Sequence, residues 1–455
     1  MNDSTEIRSG NEPKGRSLRR LYSRVLLALL IVGLASRIAI TIHGGLATPP
    51  RPGSDCSEYD SYAWNLAQGR GYSGISPDVK KSDGQLLEHP TAHISPGTSV
   101  LWAGLYLTFG HRYSIVRITH CVLDTLTILL IFGIGRRCFD DKVALLAAAI
   151  YAVWPTALLY SSQLISEPLF TFLFCCSILV SLEFAEHPSW PRAIAAGALL
   201  GLAMLTRGSA VLMVALVVPW SIWQFRRTPR LAVRGLAISF VALVMLVPWT
   251  IRNYWIFHAF IPFQTEGGDV LLGSYNRVVA SDPLYYGYYI WPTSLPEYRE
   301  QIIAPNNELI RNHVETQLAI DWIRNHPETW WYLAESRFRR SLTPFLQPQD
   351  PKLYRVGMLV SWGPILVLFA LGFFPSAVYF LRANNPGWIL HLGVLQFVLT
   401  SIIFFGSSRY RFPVEGLCII LASATLVWTC EQIRKRFRRR RVPQMPPGHE
   451  LIESS

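Results

Sequence analysis

Charge is the scarce quantity in this sequence. Of 455 residues, 16% are Asp, Glu, Lys or Arg, against 51% hydrophobic. A soluble chain cannot cover its surface with so few charges, whereas a surface facing lipid needs none. Cysteine supplies no framework either. There are seven cysteines; only Cys56 falls in an expected outer loop, and the others lie in or near apolar segments, where they read as small apolar residues. Zinc spacing, a Walker A loop and a dinucleotide fingerprint are all missing. No internal repeat is evident, which counts against a transporter built from duplicated halves. Aromatic residues, by contrast, reach 13%, as expected where rings anchor many helix ends at the lipid interface.

What is present is a series of apolar segments of about the 20 residues that cross a bilayer. They run over 25–43, 114–135, 143–160, 168–184, 191–206, 209–225, 232–250, 356–380, 387–406 and 413–430. The fifth and sixth are short enough to form a tight helical pair. The fold class expected is an all-α polytopic membrane protein of about ten transmembrane helices. Basic residues set its orientation. Arg16, Arg19, Arg20 and Arg24, then Arg136 and Arg137, then Arg226, Arg227 and Arg230, then Arg382, and finally the run Arg434–Arg441 share one side of the count. That side is expected to be cytoplasmic, with both termini. The first apolar run is long and interrupted by Arg37, so it reads as a retained anchor rather than a signal peptide. The basic C-terminal run is suited to anionic lipid heads, and no nucleic-acid partner is expected. Residues 1–15 and 442–455 have the composition of disordered tails.

Two loops on the other side are long, about Gly44–Arg112 and Arg252–Arg355; loops of that length are commonly functional. In the first, Ser54 is placed to cap a helix from Asp55 to Leu66, ended by Gln68-Gly69-Arg70-Gly71. Pro96-Gly97 opens a second short helix, Thr98–Phe109, and both are expected to lie along the membrane surface. The second loop shows helical patterns over 309–325 and 328–340, a modest helical cap.

The polar residues near these loops are the candidates for chemistry. Asp55, at a helix start beside the membrane, can take a proton from an acceptor or hold a metal or a hydroxyl. The structural alternative is an acid stabilised by the helix dipole. Glu167, between Ser166 and Pro168, allows the same two readings and lies on the same face. Arg207, Arg252, Arg409 and Arg411 sit on the side where the orientation bias disfavours positive charge, and guanidinium suits phosphate; each alone also fits a helix-end residue reaching for the interface. His89 and His93 form a weak candidate pair for a divalent metal. Arg117 and Asp124, within the second span, are expected to be a structural pair.

Taken in order, these motifs resemble a known family. Gly53-Ser54-Asp55 with Tyr59, followed by Asn65-Leu66 and Gly69-Arg70-Gly71-Tyr72, resembles an acidic first-loop motif. Pro90-Thr91-Ala92 and Pro96-Gly97, Arg136-Arg137-Cys138-Phe139, Tyr160-Ser161 with Ser166-Glu167, Leu205-Thr206-Arg207, Pro248-Trp249 with Arg252-Asn253-Tyr254, and Arg409-Tyr410-Arg411 with Pro413 follow. The chain resembles the polyprenyl-phosphate-sugar-dependent glycosyltransferases of the GT-C superfamily, in particular the glycosyltransferase 39 and aminoarabinose-transferase-like group related to the protein O-mannosyltransferases. The resemblance implies transfer of a sugar from a polyprenyl-phosphate donor to a glycolipid, polysaccharide or protein acceptor on the non-cytoplasmic face, with inversion. It makes Asp55 the catalytic carboxylate and Glu167 its assistant. Arg207, Arg252, Arg409 and Arg411, with Glu58 and Tyr59, are then the residues that bind carrier phosphate or substrate. Thr98-Ser99 after Pro96-Gly97, and His93, depart from the family pattern on the acceptor side. Two other classes also fit: a flippase for lipid-linked glycans, or a catalytically silent relative.

Overall fold

A computed structural model describes residues 12–80, 86–305, 307–344 and 352–441. Among the described residues, seven helices are long and apolar enough to cross a membrane: Arg20–His43, Tyr113–Cys138, Glu167–Glu186, Pro229–Phe257, Arg355–Arg382, Pro386–Ile403 and Ser408–Phe437. Asp141–Ala152 and Pro155–Ser161 make an eighth if taken together, bent by 52°. The bend falls where Pro155 cannot donate a backbone hydrogen bond. Trp190–Thr206 and Gly208–Gln224 are shorter apolar helices. These ten units correspond to the ten segments read from the sequence. The chain is an all-α polytopic membrane protein, with a small β-hairpin outside the bundle.

Packing follows lipid rules rather than water rules. Large apolar side chains such as Phe374, Leu371 and Phe240 point outward, while the interior combines buried rings such as Trp220 and Phe174 with small residues and a few paired charges. A Cβ on Gly201 would lie 2.5 Å from the Met245 Cβ, and one on Gly197 2.6 Å from the Ile238 carbonyl. Helix Trp190–Thr206 therefore approaches its neighbour along a small-residue seam, as membrane helices do when no hydrophobic effect drives them together.

One expected polar pair is corrected. Asp124 does not pair with Arg117. It binds the Nε of Arg37 at 2.6 Å and accepts from the Tyr151 hydroxyl at 2.7 Å, all three residues being fully buried. Arg37 also donates to the carbonyls of Gly33 and Ala152 at 2.9 and 2.8 Å. Arg117 instead donates to the carbonyls of Ser162 and Leu46, about two turns closer to the loops. Spacing along one helix had suggested the pair, but the partner came from the first span.

The first loop contains the two expected helices, Asp55–Ala67 and Gly97–Phe109. Between them lies a hairpin that was not foreseen, Ser73–Lys80 against Leu86–Pro90, with Ser73 opposite Pro90 and Gly74 opposite His89. The second loop holds the expected helices as Glu308–Asn325 and Thr329–Leu342. The two loops are joined to each other. The Glu308 carboxylate accepts from the Thr91 hydroxyl and the Ala92 amide at 2.7 and 2.8 Å, and the Thr265 amide donates to the Ala92 carbonyl at 2.9 Å. Residues 12–15, expected to be disordered, begin the first helix; the rest of those two tails lies outside the described residues.

Removing one member of a buried ion pair leaves the other charge uncompensated, at a cost of about 3–5 kcal/mol. Asp124→Ala is expected to lower the unfolding midpoint in detergent sharply. The double replacement Arg37→Met with Asp124→Leu is expected to lower it less. A thermal melt of the three proteins checks this, and equal losses for single and double variants would contradict it.

Candidate active site

Four of the expected residues converge, from four separate stretches of chain. Glu167 opens helix Glu167–Glu186 after Ser166, with Pro168 fitting the first turn, where no amide donor is needed. Its carboxylate is fully buried. Arg207 Nη1 binds Glu167 Oε1 at 2.6 Å and the Ser166 hydroxyl at 3.1 Å. Arg409 Nε also binds Glu167 Oε1, with Nη2 3.4 Å from Oε2. The other end of the Arg409 guanidinium reaches Asp55 Oδ2 at 2.8 Å. Arg409 thus bridges the two acids. It occupies the first turn of helix Ser408–Arg441, an unfavourable end for a cation, and the two carboxylates offset that.

Local sequence accounts for the placements. The chain before Asp55 turns at Gly53, whose φ is 71°, a region glycine enters without a Cβ clash. The Ser54 amide then donates to the Ser57 hydroxyl at 3.2 Å, which starts the helix. Gly97 packs so tightly that a Cβ there would lie 2.8 Å from the Leu205 carbonyl. The second loop helix is therefore seated directly on the end of helix Trp190–Thr206, where Arg207 leaves the bundle. Tyr59, one turn after Asp55, donates to the Ser166 hydroxyl at 3.2 Å. The Arg207 guanidinium lies over the Tyr410 ring, 4.9 Å from its centroid.

Asp55, Tyr59, Arg207, Arg409 and Tyr410 line a cavity of about 500 Å³. Its remaining wall is largely apolar, including Phe170, Val211, Leu212, Phe263, Phe397 and Phe404. A charged end and an apolar length in one cavity suit an amphiphile with an anionic head. Burial pushes the Asp55 carboxyl up, but the Arg409 guanidinium beside it, helped by Arg207, outweighs this and holds it below its ordinary value. Asp55 is therefore a carboxylate at neutral pH.

The structure does not bring the other two arginines to this cavity. Arg252 donates to the carbonyls of Thr91 and Tyr72 at 2.7 and 2.6 Å and lies over the Trp249 ring. It fastens the first loop to the bundle. Arg411 is 1% exposed; it binds Glu415 at 2.7 Å and the carbonyls of Ser341 and Thr343. Two residues along the helix from Arg409, it points inward rather than to the cavity. Glu58 turns away from Asp55 into a second chamber, 4.0 Å from His93. His89 Nδ1 lies 2.8 Å from the Pro90 carbonyl in the hairpin, so the two histidines have different partners. Among the described residues no group of three His, Cys, Asp or Glu side chains gathers as a metal site.

One cavity residue was missed. Glu266, in the second loop, lines the same cavity as Asp55 and accepts from Gln264 at 3.0 Å. Burial pushes its carboxyl up to about 8, with Asp55, Asp269 and Glu58 adding repulsion. The only signal in the sequence was an acid directly before Gly267-Gly268.

Residues 89–252 match the family model described as dolichyl-phosphate-mannose-protein mannosyltransferase. An undecaprenyl phosphate-alpha-4-amino-4-deoxy-L-arabinose arabinosyl transferase of Pseudomonas paraeruginosa is 33% identical over 163 residues, covering 33% of this chain and 29% of that protein. A transferase of the same name from Pseudomonas fluorescens is 27% identical over 327 residues, covering 70% of this chain and 46% of that protein. Each match thus spans less than half of the relative's length. In structure, the oligosaccharyltransferase of Archaeoglobus fulgidus, solved with an inhibitory peptide and a dolichol-phosphate, aligns over 93% of this chain and 52% of that one, with a TM-score of 0.57 at 13% identity.

With Arg409 removed, burial acts on Asp55 without its main counterweight. Arg409→Gln is expected to raise the Asp55 pKa, so that the carboxylate is lost at a higher pH than in the unchanged protein. The carboxyl ¹³C shift of labelled Asp55, titrated in detergent, measures this; an unmoved or lowered midpoint would show that Arg409 does not control the acid.

Proposed function

We propose that this chain, a membrane protein of the GT-C glycosyltransferase fold and similar to the glycosyltransferase 39 group, transfers a sugar from a polyprenyl-phosphate carrier to a lipid, glycan or protein acceptor. The observation that carries the reading is the convergence of Asp55, Glu167, Arg207 and Arg409 at the polar end of an apolar cavity. The names of the relatives, transferases acting with undecaprenyl phosphate, support the same class of donor.

In this reading the prenyl chain lies along Val211, Leu212, Phe397 and Phe404, and the carrier phosphate meets Arg207 and Arg409. Asp55 accepts the proton of the acceptor nucleophile. As the nucleophile bonds to the anomeric carbon, the bond from that carbon to the phosphate oxygen breaks. The electron pair leaves with the phosphate, and the guanidiniums offset the charge that develops on it. Attack from the face opposite the phosphate inverts the anomeric centre. Glu167 touches neither reactant: it is a positioning residue that holds both arginines at one spacing. Arg409 is hydrogen-bonded to Asp55, so a carrier phosphate at Arg409 competes for the guanidinium and frees the carboxylate to work as a base.

By the distribution of basic residues, the site faces away from the cytoplasm and both termini are cytoplasmic; the bacterial relatives point to a bacterial plasma membrane. A flippase reading is less well supported. Asp55, Glu167, Arg207 and Arg409 gather at one end of the bundle, and the buried charged pairs Arg37 with Asp124 and Arg411 with Glu415 line neither cavity.

The test is sugar transfer by the purified protein from a panel of radiolabelled undecaprenyl-phosphate pentoses and hexoses, 4-amino-4-deoxy-L-arabinose included. Asp55→Asn is expected to lower kcat at least about a hundredfold, the size of a lost general base. Glu167→Gln is expected to raise the donor KM and lower kcat together. Arg411→Gln is expected to act through stability, with kcat per folded molecule near that of the unchanged protein. Full turnover by Asp55→Asn would reject the assignment of the base.

A further inference from the structure

A second chamber, of about 1010 Å³, lies between the two outer loops. It shares the helix Asp55–Ala67 with the first cavity. Asp55 and Tyr59 line the first cavity, while Glu58, Ser61 and Tyr62 line the second. Positions three apart on a helix are neighbours on its surface, so the proposed base stands at the boundary of the two spaces. The second chamber is lined by more charged and polar side chains than the first. Its carboxylates are Glu58, Asp269, Glu308 and Glu315, and its cations His93, Arg299 and Arg311.

Two of the three cations already face carboxylates. Arg311 Nε binds Glu315 at 2.8 Å, with Nη2 3.7 Å from Asp269, and His93 lies 4.0 Å from Glu58. The third, Arg299, is exposed. A carboxylate accepts at about four positions, so these groups keep acceptor capacity after their pairs are made. Thr265 adds a separate observation. It lines the chamber, is 4% exposed, and its hydroxyl has no hydrogen-bond partner among the described residues. A buried hydroxyl without a partner costs about 1–3 kcal/mol, which a bound ligand relieves. Trp291, with half its surface exposed, supplies an aromatic face on the same wall.

We propose that this chamber is the acceptor site and that it takes a saccharide, neutral or amine-bearing, whose bound portion carries no phosphate. The proposal rests on the transferase reading. Sugar hydroxyls and ammonium groups donate to the free acceptor positions of Glu58, Asp269 and Glu315, and a sugar face stacks on Trp291. A phosphate monoester there would meet the chamber's four carboxylates at like charge, with Arg311 and His93 already facing carboxylates and Arg299 left as its cation. One acceptor hydroxyl then crosses the shared helix boundary to Asp55.

Calorimetry tests the proposal without a donor. The probes are a neutral N-acetylglucosamine trisaccharide, its de-N-acetylated amine form, and its phosphate monoester, added to the full protein in detergent. The first two are expected to bind at least about tenfold tighter than the third, the size of one hydrogen bond to a charged group. Glu58→Gln and Thr265→Val are each expected to weaken the neutral probe several-fold, and Thr265→Ser to restore it, which a folding defect would not do. Tightest binding of the phosphate ester, or binding that none of these variants alters, would overturn the proposal. So would hydrolysis of the lipid-linked donor in water with no saccharide bound. Saccharide binding with no donor cleaved from the panel above would instead count against the transferase reading and leave a saccharide-binding chamber.

Discussion

The architecture depends on one buried carboxylate shared by two arginines. Glu167 has no exposed surface and is bound by both Arg207 and Arg409. Each of these cations would be costly at the edge of an apolar bundle by itself, and the acid would be costlier still. Together they form a cluster whose members come from helix Glu167–Glu186, the end of helix Trp190–Thr206, and the start of helix Ser408–Arg441. The cluster therefore fixes the relative positions of three helix ends. Asp55, joined through Arg409, ties the first outer loop to the same point. Moving any one of these ends would leave a charge without its partner.

A consequence is that the site is rigid where charge matters and open where shape matters. Tyr59, Ser166 and Tyr410 surround the cluster with hydrogen bonds and a ring face, while the cavity beyond is walled by aliphatic and aromatic side chains. Directional contacts hold the head of a ligand, and non-directional ones accept a chain of variable length. An enzyme acting on a membrane-embedded carrier needs that division, because the lipid tail stays in the bilayer while the reacting bond must reach a polar acceptor.

The sequence made the bundle legible because lipid imposes a strong, simple rule on composition: every span must be apolar and about 20 residues long. Orientation bias made Arg207 and Arg409 stand out as cations on the disfavoured side. The same signal did not separate them from Arg252 and Arg411, which are also outer arginines. Arg252 and Arg411 are spent on backbone carbonyls at loop junctions, and which partner a guanidinium finds is a tertiary matter. Arg409 and Arg411, two apart on a helix, must point to different faces. Arg37 with Asp124 is the same lesson inside the membrane. The hairpin Ser73–Pro90 was hidden because its strands contain Pro77 and Asp78 and show little apolar alternation.

Glu266 was illegible for a further reason, and it bears on how the two outer loops work as one. Nothing near it in sequence marks an active site; it reaches the cavity because the second loop is fastened to the first. The Glu266 amide donates to the His93 carbonyl at 3.2 Å, the adjacent Thr265 amide to Ala92, and Glu308 grips Thr91 and Ala92 from the far side. The stretch Thr91–His93 is thus held between Arg252 below and the second loop above. Since Glu266 lines the first cavity while Thr265 and Asp269 line the second, a shift of this one segment changes both spaces at once. The two cavities are coupled through a backbone seam rather than through the charged cluster. His93, one of the departures from the resembled pattern, lies on that seam. A change in this segment reshapes both cavities while leaving the four-residue cluster in place, because none of the four belongs to the seam.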